Sequence, residues 1–292
     1  MIYSIENEYL RVQISSLGAE IVSMQSKDDN TEYIWYGDEK YWSGHSPIMF
    51  PICGRLCEGK YTYRGKEYSM PNHGFTRKTE MTASKENDSS ITFKMVADEK
   101  TLSQYPFDFV FKATYTLDGK ALKMKLTVEN EREDELIFAV GAHPAFNVPL
   151  SKGEKFEDYY VELESECDAY RVDFSEACLC TKNDKPYNEN GTKIIPLDHS
   201  LFDDDAIFLY NVPSVAYLKS NSGSKGLKMT YDKMKYLGIW HKPKSDAPYV
   251  CIEPWLSIPA KDGIIDDLST KEDMVKLLKG EKYENEIIIE IF

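Results

Sequence analysis

The sequence predicts an all-β chain, a sandwich or a barrel, and three observations carry that reading. Many short stretches alternate apolar and polar residues with the period of a strand. Turn residues separate those stretches at regular intervals. Helical periodicity is almost absent, and strands and helices nowhere alternate in the rhythm that a parallel sheet requires. With 292 residues, 42% of them hydrophobic, the chain has enough apolar material for a large core. β structures of this length often form one unit. Neither a linker nor a shift in composition divides the chain, so residues 1–292 are expected to form one domain.

The elements follow in order. Tyr3 and Ile5 open the alternation, Leu10, Val12 and Ile14 continue it, and Leu17-Gly18-Ala19 turns into a strand through Ile21 and Met24. Asp28-Asp29-Asn30 is a turn cluster before the apolar run Tyr33-Ile34-Trp35-Tyr36. Residues 59–63 and 66–70 read as a hairpin about Arg64-Gly65. After a strand at 90–96, residues 109–117 and 122–129 form a second hairpin closed by Asp118-Gly119. Strands recur at 136–140, 159–163, 206–210, 215–219, 227–231, 236–240 and 287–292. One helix is expected at about 270–278, with Ser269 and Glu272 as a capping box and Gly280 as its stop.

The formal net charge of -14 argues against nucleic acid or an anionic membrane surface as partner, since both require clustered Lys and Arg. A small anionic substrate is not excluded, because it responds to the local field of a cleft. No apolar run approaches the roughly 20 residues that span a bilayer. The first residues lack the basic and apolar regions of a signal peptide. Six cysteines are too sparse for a disulfide scaffold, so free thiols in a reducing cytoplasm are expected.

Candidate functional groups stand at the ends of apolar runs. His143 leaves the run Leu136-Ile137-Phe138-Ala139-Val140 between Gly141 and Pro144, a setting for a semi-buried imidazole of tunable pKa. Glu253 closes Tyr249-Val250-Cys251-Ile252 before Pro254 and Trp255. Burying a carboxylate unpaired costs on the order of 2–7 kcal/mol or more, so desolvation is expected to raise its pKa towards that of an efficient general base. His73, Phe75 and Arg77 are expected to share one face of an extended segment, suited to a polyhydroxylated or anionic ligand. Arg55 follows the Pro-flanked run Phe50-Pro51-Ile52-Cys53-Gly54 and reads as a ligand clamp or an ion-pair partner. In Asp203-Asp204-Asp205, periodicity does not decide whether Asp204 or Asp205 is the carboxylate that reaches sugar hydroxyls. Phe75, Trp240 and Trp255 supply flat faces for a sugar ring.

The competing chemistries find little support. Cys53 and Cys57, or Cys178 and Cys180, lack the paired spacing or nearby His of a zinc site. There is no phosphate loop, dinucleotide fingerprint or GxSxG elbow, so neither metal nor cofactor is expected. His45, His199 and His241 occupy polar or turn contexts, although Trp240-His241 can border a pocket.

Taken in order, Pro47-Ile48-Met49-Phe50-Pro51-Ile52-Cys53-Gly54-Arg55, His73-Gly74-Phe75-Thr76-Arg77, Gly141-Ala142-His143-Pro144-Ala145-Phe146-Asn147, Asp205-Ala206-Ile207-Phe208 and Cys251-Ile252-Glu253-Pro254-Trp255 resemble the aldose 1-epimerase (galactose mutarotase) superfamily, and more narrowly its LacX-like branch. The resemblance implies a large antiparallel β-sandwich with few short helices and a sugar cleft on one sheet. It implies His143 as general acid, Glu253 as general base and His73 as the histidine that helps bind and polarise the ring. Arg55 matches a substrate-contacting arginine and Asp205 the aspartate on ring hydroxyls. The implied activity is interconversion of the α and β anomers of a hexose, in a monomer or homodimer without cofactor. Epimerisation of a hexose 6-phosphate, with Arg77 on the phosphate, and a non-catalytic sugar-binding module are the alternatives. The lack of obvious cation clusters beside the motifs tilts the expectation towards neutral aldoses.

Overall fold

The alternating stretches fold into two large antiparallel sheets whose apolar faces meet. A computed structural model describes residues 1–223 and 225–292. One sheet has nine strands, in the order Thr192–Pro196, Tyr159–Cys167, Val215–Ser220, Leu227–Tyr231, Lys282–Ile291, Ala121–Glu129, Val110–Asp118, Ser90–Val96 and Thr82–Asn87. The other has eight, running Lys185–Pro186, Tyr170–Arg171, Ile207–Tyr210, Tyr236–Trp240, Tyr249–Trp255, Gly141–Ala142 and Ile48–Met49, with Ala145–Asn147 also paired to Tyr249–Trp255. A three-stranded sheet, Ile2–Glu6, Leu10–Ser15 and Ile21–Ser26, and two short two-stranded ribbons complete it. Phe93, Phe111, Tyr115, Leu126 and Ile287 of the nine-stranded sheet share one hydrophobic cluster with Ile207, Leu237, Ile239, Val250 and Ile252 of the other. That is the period-two signal of the sequence expressed as a sandwich core.

Both expected hairpins form. Arg64 and Gly65 turn at φ 50 and 74, the left-handed pair that a two-residue hairpin needs, between Lys60–Tyr63 and Lys66–Ser69. Asp118 and Ala121 pair across the second turn. The expected helix at 270–278 does not form. Ser269 bonds back to Asp267 through its backbone N–H and its hydroxyl, Asp273 sits at φ 59, and Val275–Leu277 pairs as a strand with Leu136–Phe138. The expected capping acid, Glu272, reaches Lys261 instead. Pairing with a fully buried strand outweighs the modest helical preference of this segment. The α-helix that does form, Glu99–Gln104, is capped by Asp98 and Thr101 in a reciprocal pair of hydrogen bonds.

The segment that brings His73 to the second sheet depends on backbone freedom. His73 and Gly74 lie at φ 64 and 73, and Thr76–Lys78 forms a 3₁₀ turn, so the expected extended face of His73, Phe75 and Arg77 is broken. Phe75 N–H donates to the Phe50 carbonyl at 3.1 Å. A Cβ on Gly74 would lie 2.1 Å from that carbonyl oxygen. Gly74→Ala should therefore destabilise the fold by about 2–5 kcal/mol, combining left-handed strain with overpacking. Gly263→Ala should cost only about 1–2 kcal/mol, because Gly263 has φ +69 but nothing within 4 Å of its added Cβ. Urea unfolding of both variants checks this, and equal losses would contradict it.

Candidate active site

Strand register places the two strongest candidates opposite each other. In Tyr249–Trp255 every residue is buried. Val250 and Ile252 enter the main core, while Tyr249, Cys251, Glu253 and Trp255 point to the other face. The neighbouring segment pairs Gly141 with Trp255 and Ala145 with Cys251, which sets His143 across from Glu253 between the two ladders. Their side chains meet, His143 Nε2 to Glu253 Oε2 at 3.2 Å. On the other flank Glu253 pairs with Gly238, where a Cβ would lie 2.4 Å from the Phe208 ring. The absence of a side chain at Gly238 lets Phe208 fold over Trp255, their ring centroids 4.4 Å apart.

Burial governs the electrostatics of the pair. Glu253 is 2% exposed and His143 9%. Desolvation pushes the Glu253 carboxyl well above its ordinary value, and the negative charge of Asp205 pushes the same way. The Trp255 indole N–H beside it pulls the other way, although it lies outside good hydrogen-bond geometry. Desolvation also drives the His143 imidazole down to about 3. Near neutral pH the pair holds one proton between a carboxylic acid and a neutral imidazole.

The other candidates arrive from separate loops. His73 Nδ1 accepts from the Gly54 N–H at 3.2 Å, which fixes the proton of the neutral ring on Nε2. Desolvation, His143, Arg77 and Arg55 hold this imidazole well below its usual value. Its ring stands edge-on to His143 and to Trp255, at 5.7 and 5.1 Å. Arg55 and Arg77 line the same cleft, and neither has a carboxylate within 4.0 Å among the described residues. Asp204 and Asp205 both border it. Asp205 is the less exposed and is fixed by hydrogen bonds to Ala206 N–H and the Cys178 thiol. Trp240 and Trp255 form walls. Phe75 does not: it is 4% exposed and packs in the core against Phe50, Tyr105 and Phe109. His241, expected in a polar or turn context, is fully buried against Phe202 and His199 and does not line the cleft.

The cleft measures about 330 Å³, at the small end for a ligand pocket. Size alone does not single it out, since cavities of about 300 and 310 Å³ lie elsewhere, without an imidazole in their walls. Its polarity does. Eight buried side-chain polar atoms have no partner among the described residues, and five of them line this cleft, on Asn72, Arg77, His143, Ser175 and Trp255. Such atoms are rare in folded proteins and gather where a polar ligand completes them. Sequence reading missed Trp42, whose ring stacks on His143 at 4.9 Å, and also Asn72, Phe174, Ser175, Cys178 and Phe208. None lies in a motif, and only the fold collects them.

A family model described as aldose 1-epimerase matches residues 1–290. The chain belongs to the aldose 1-epimerase family. Two relatives, the plasmid and chromosomal forms of protein LacX from Lactococcus lactis subsp. lactis, are 38% and 37% identical over 289 residues, covering 95% of this chain and 95% of each relative. Among solved structures, a galactose mutarotase related enzyme from Lactobacillus acidophilus is 32% identical with a TM-score of 0.93, covering 100% of this chain and 97% of its own. A galactose mutarotase-like protein from Lactobacillus casei ATCC 334 is 30% identical with a TM-score of 0.94, covering 100% of both chains. The large antiparallel sandwich is thus the galactose mutarotase-like fold.

In this aldose 1-epimerase family member the proton pair has a third neighbour. The ligand atoms of His143, Cys251 and Glu253 all lie within 4.8 Å of one another. Metal ligation needs a thiolate and a carboxylate, whereas burial holds the Cys251 thiol and the Glu253 carboxyl well above their ordinary values, so the set suits proton chemistry better than a resident ion. A raised carboxyl pKa also has a cost in stability. The folded state keeps a proton that the unfolded chain releases above about pH 4.5, so stability falls as pH rises from there towards the folded value. Glu253→Gln removes that loss while its amide still donates to His143. Thermal unfolding at neutral pH should show the variant as stable as the parent or more so, with the gap closing towards pH 4.5. A markedly destabilised variant would mean that Glu253 is ionised and structural.

Proposed function

We propose that the protein is an aldose 1-epimerase, one domain with one sugar cleft, that interconverts the α and β anomers of a hexose by acid/base ring opening. The observation that carries this reading is the opposed His143–Glu253 pair set among five unpartnered polar atoms in one cleft. A sugar ring presents hydroxyls to match those atoms and a flat apolar face to Trp240 and Trp255. Transfer of the shared proton across the 3.2 Å contact converts acid and imidazole into carboxylate and imidazolium. The Glu253 carboxylate then takes the proton of the anomeric hydroxyl while His143 gives its proton to the ring oxygen. The bond from C1 to the ring oxygen breaks, C1 becomes the carbonyl of the open aldehyde, and the pair is back in its resting protonation. Rotation about C1–C2 and the reverse transfers yield the other anomer. His73 Nε2–H and Arg55 stabilise charge on the sugar oxygens as the ring opens, and Asp205 holds ring hydroxyls. Each positioned acid or base contributes roughly 10²–10⁴-fold, so no metal or nucleotide is required. The six free cysteines fit a reducing cytoplasm.

Arg77 favours a second reading, in which the hexose is phosphorylated. Its guanidinium is half-buried, its Nε has no partner, and desolvation lowers its pKa. It lies close enough to both cleft imidazoles to depress them. An anionic substituent on the sugar would neutralise it. Polarimetry or exchange NMR with glucose, galactose and glucose 6-phosphate separates the readings. A clear preference for the phosphate, lost in Arg77→Gln, supports the second, and binding without acceleration on any sugar supports a non-catalytic module. On the preferred sugar, Glu253→Gln should slow kcat by about 10²–10⁴-fold. The pH profile should be a bell with a broad neutral top. Its acid limb, where the pair gains a second proton, lies well below 6.5, because burial lowers His143. Its alkaline limb, where Glu253 loses the last proton, is displaced upward. A Glu253→Gln variant at full rate would remove the base assignment.

A further inference from the structure

The turn that carries Phe174, Ser175 and Cys178 borders the cleft but belongs to none of the sequence motifs. It is a tight reversal: Phe174 bridges to Cys180, and Ser175 N–H and Cys178 N–H donate to the Leu179 and Ser175 carbonyls at 2.8 Å each. Cys180 N–H anchors it to the Ala260 carbonyl at 2.9 Å. At its tip Cys178 adopts φ 58 and turns its side chain into the cleft, with Sγ 3.2 Å from Asp205 Oδ2. Asp205 itself sits at φ 77, and its other oxygen accepts from Ala206 N–H at 3.0 Å. No cation lies within 4.0 Å of that carboxylate among the described residues. The thiol is thus the side-chain donor that sets where the Asp205 carboxylate points.

We propose that Cys178 is a positioning residue for sugar binding, its thiol holding the Asp205 carboxylate in the orientation that receives ring hydroxyls. This rests on the reading of the cleft as a sugar site. The group acts as a thiol and not as a thiolate, since burial and the adjacent carboxylate both raise its pKa. Each carboxylate oxygen keeps lone pairs free for the ligand after accepting these two bonds. The unpartnered Ser175 hydroxyl on the same turn gives the ligand a second contact, so the turn acts as a third wall beside the two sheet-borne tryptophans.

The test measures affinity directly and turnover separately. Dissociation constants for galactose, glucose and glucose 6-phosphate are measured by titration calorimetry on the parent, Cys178→Ala and Cys178→Ser, together with KM, kcat and thermal unfolding. Cys178→Ala should bind the preferred sugar roughly three- to tenfold more weakly, with KM raised and kcat nearly unchanged. Cys178→Ser, which keeps a donor, should restore most of the affinity. An alanine variant with unchanged affinity overturns the proposal, as does an equal loss in both variants, which would make the effect one of packing. Sugar binding without turnover in the parent defeats the epimerase reading alone, and the alanine-to-parent affinity ratio still decides the role of Cys178. A parent that binds none of the sugars defeats both.

Discussion

The cross-strand contact between His143 and Glu253 is the constraint on which the site depends. Two ladder pairs, Gly141 with Trp255 and Ala145 with Cys251, leave the intervening residues facing each other at 3.2 Å. Strand pairing therefore aligns acid and base without help from a flexible loop. A slip of one residue would send Glu253 to the main core beside Val250 and Ile252, where no partner waits. The same burial that makes the site precise forbids two separated charges, so the pair rests nearly neutral. Such a pair is costly to ionise yet needs only one short proton transfer to become a strong base and a strong acid.

Around that pair the cleft is assembled from segments that contribute one or two groups each. Trp42 stacks on His143, His73 is pinned by Gly54, and Asp205 is steered by a thiol from a distant turn. The sheet supplies rigidity and the loops supply polarity, the usual division between scaffold and recognition. The overall charge of -14 coexists with two guanidinium groups that no carboxylate answers, so the field inside the cleft differs in sign from that of the whole chain. That local field bears on whether the sugar is neutral or anionic, and composition alone misleads there.

Much of the fold was legible because period-two alternation is a direct imprint of a one-sided core. Ser90–Val96, Leu227–Tyr231 and Tyr236–Trp240 form with the expected boundaries, and Asp118-Gly119 closes its hairpin. His143 and Glu253 stood out for a related reason, as ionisable groups closing runs too apolar for the surface. Segment 270–278 was misread because its charged residues imitate a helix, while the partner that makes it a strand lies about 140 residues earlier, at Leu136–Phe138. Phe75 was misplaced because two successive left-handed residues, His73 and Gly74, rotate the chain in a way that no periodicity reports. Trp42 and Cys178 carried no sequence signal, since their roles arise only from contacts across the sheet.

The central claim is that the buried pair holds a single proton with both partners neutral in the free protein. It is tested by selective ¹³C labelling of glutamate and ¹⁵N labelling of histidine, with the Glu253 and His143 resonances followed from about pH 5 to pH 8. The account predicts a protonated Glu253 carboxyl and a neutral His143 ring at neutral pH, neither titrating near its ordinary value. An ionised Glu253 carboxylate at neutral pH, beside either a neutral ring or an imidazolium, would contradict it.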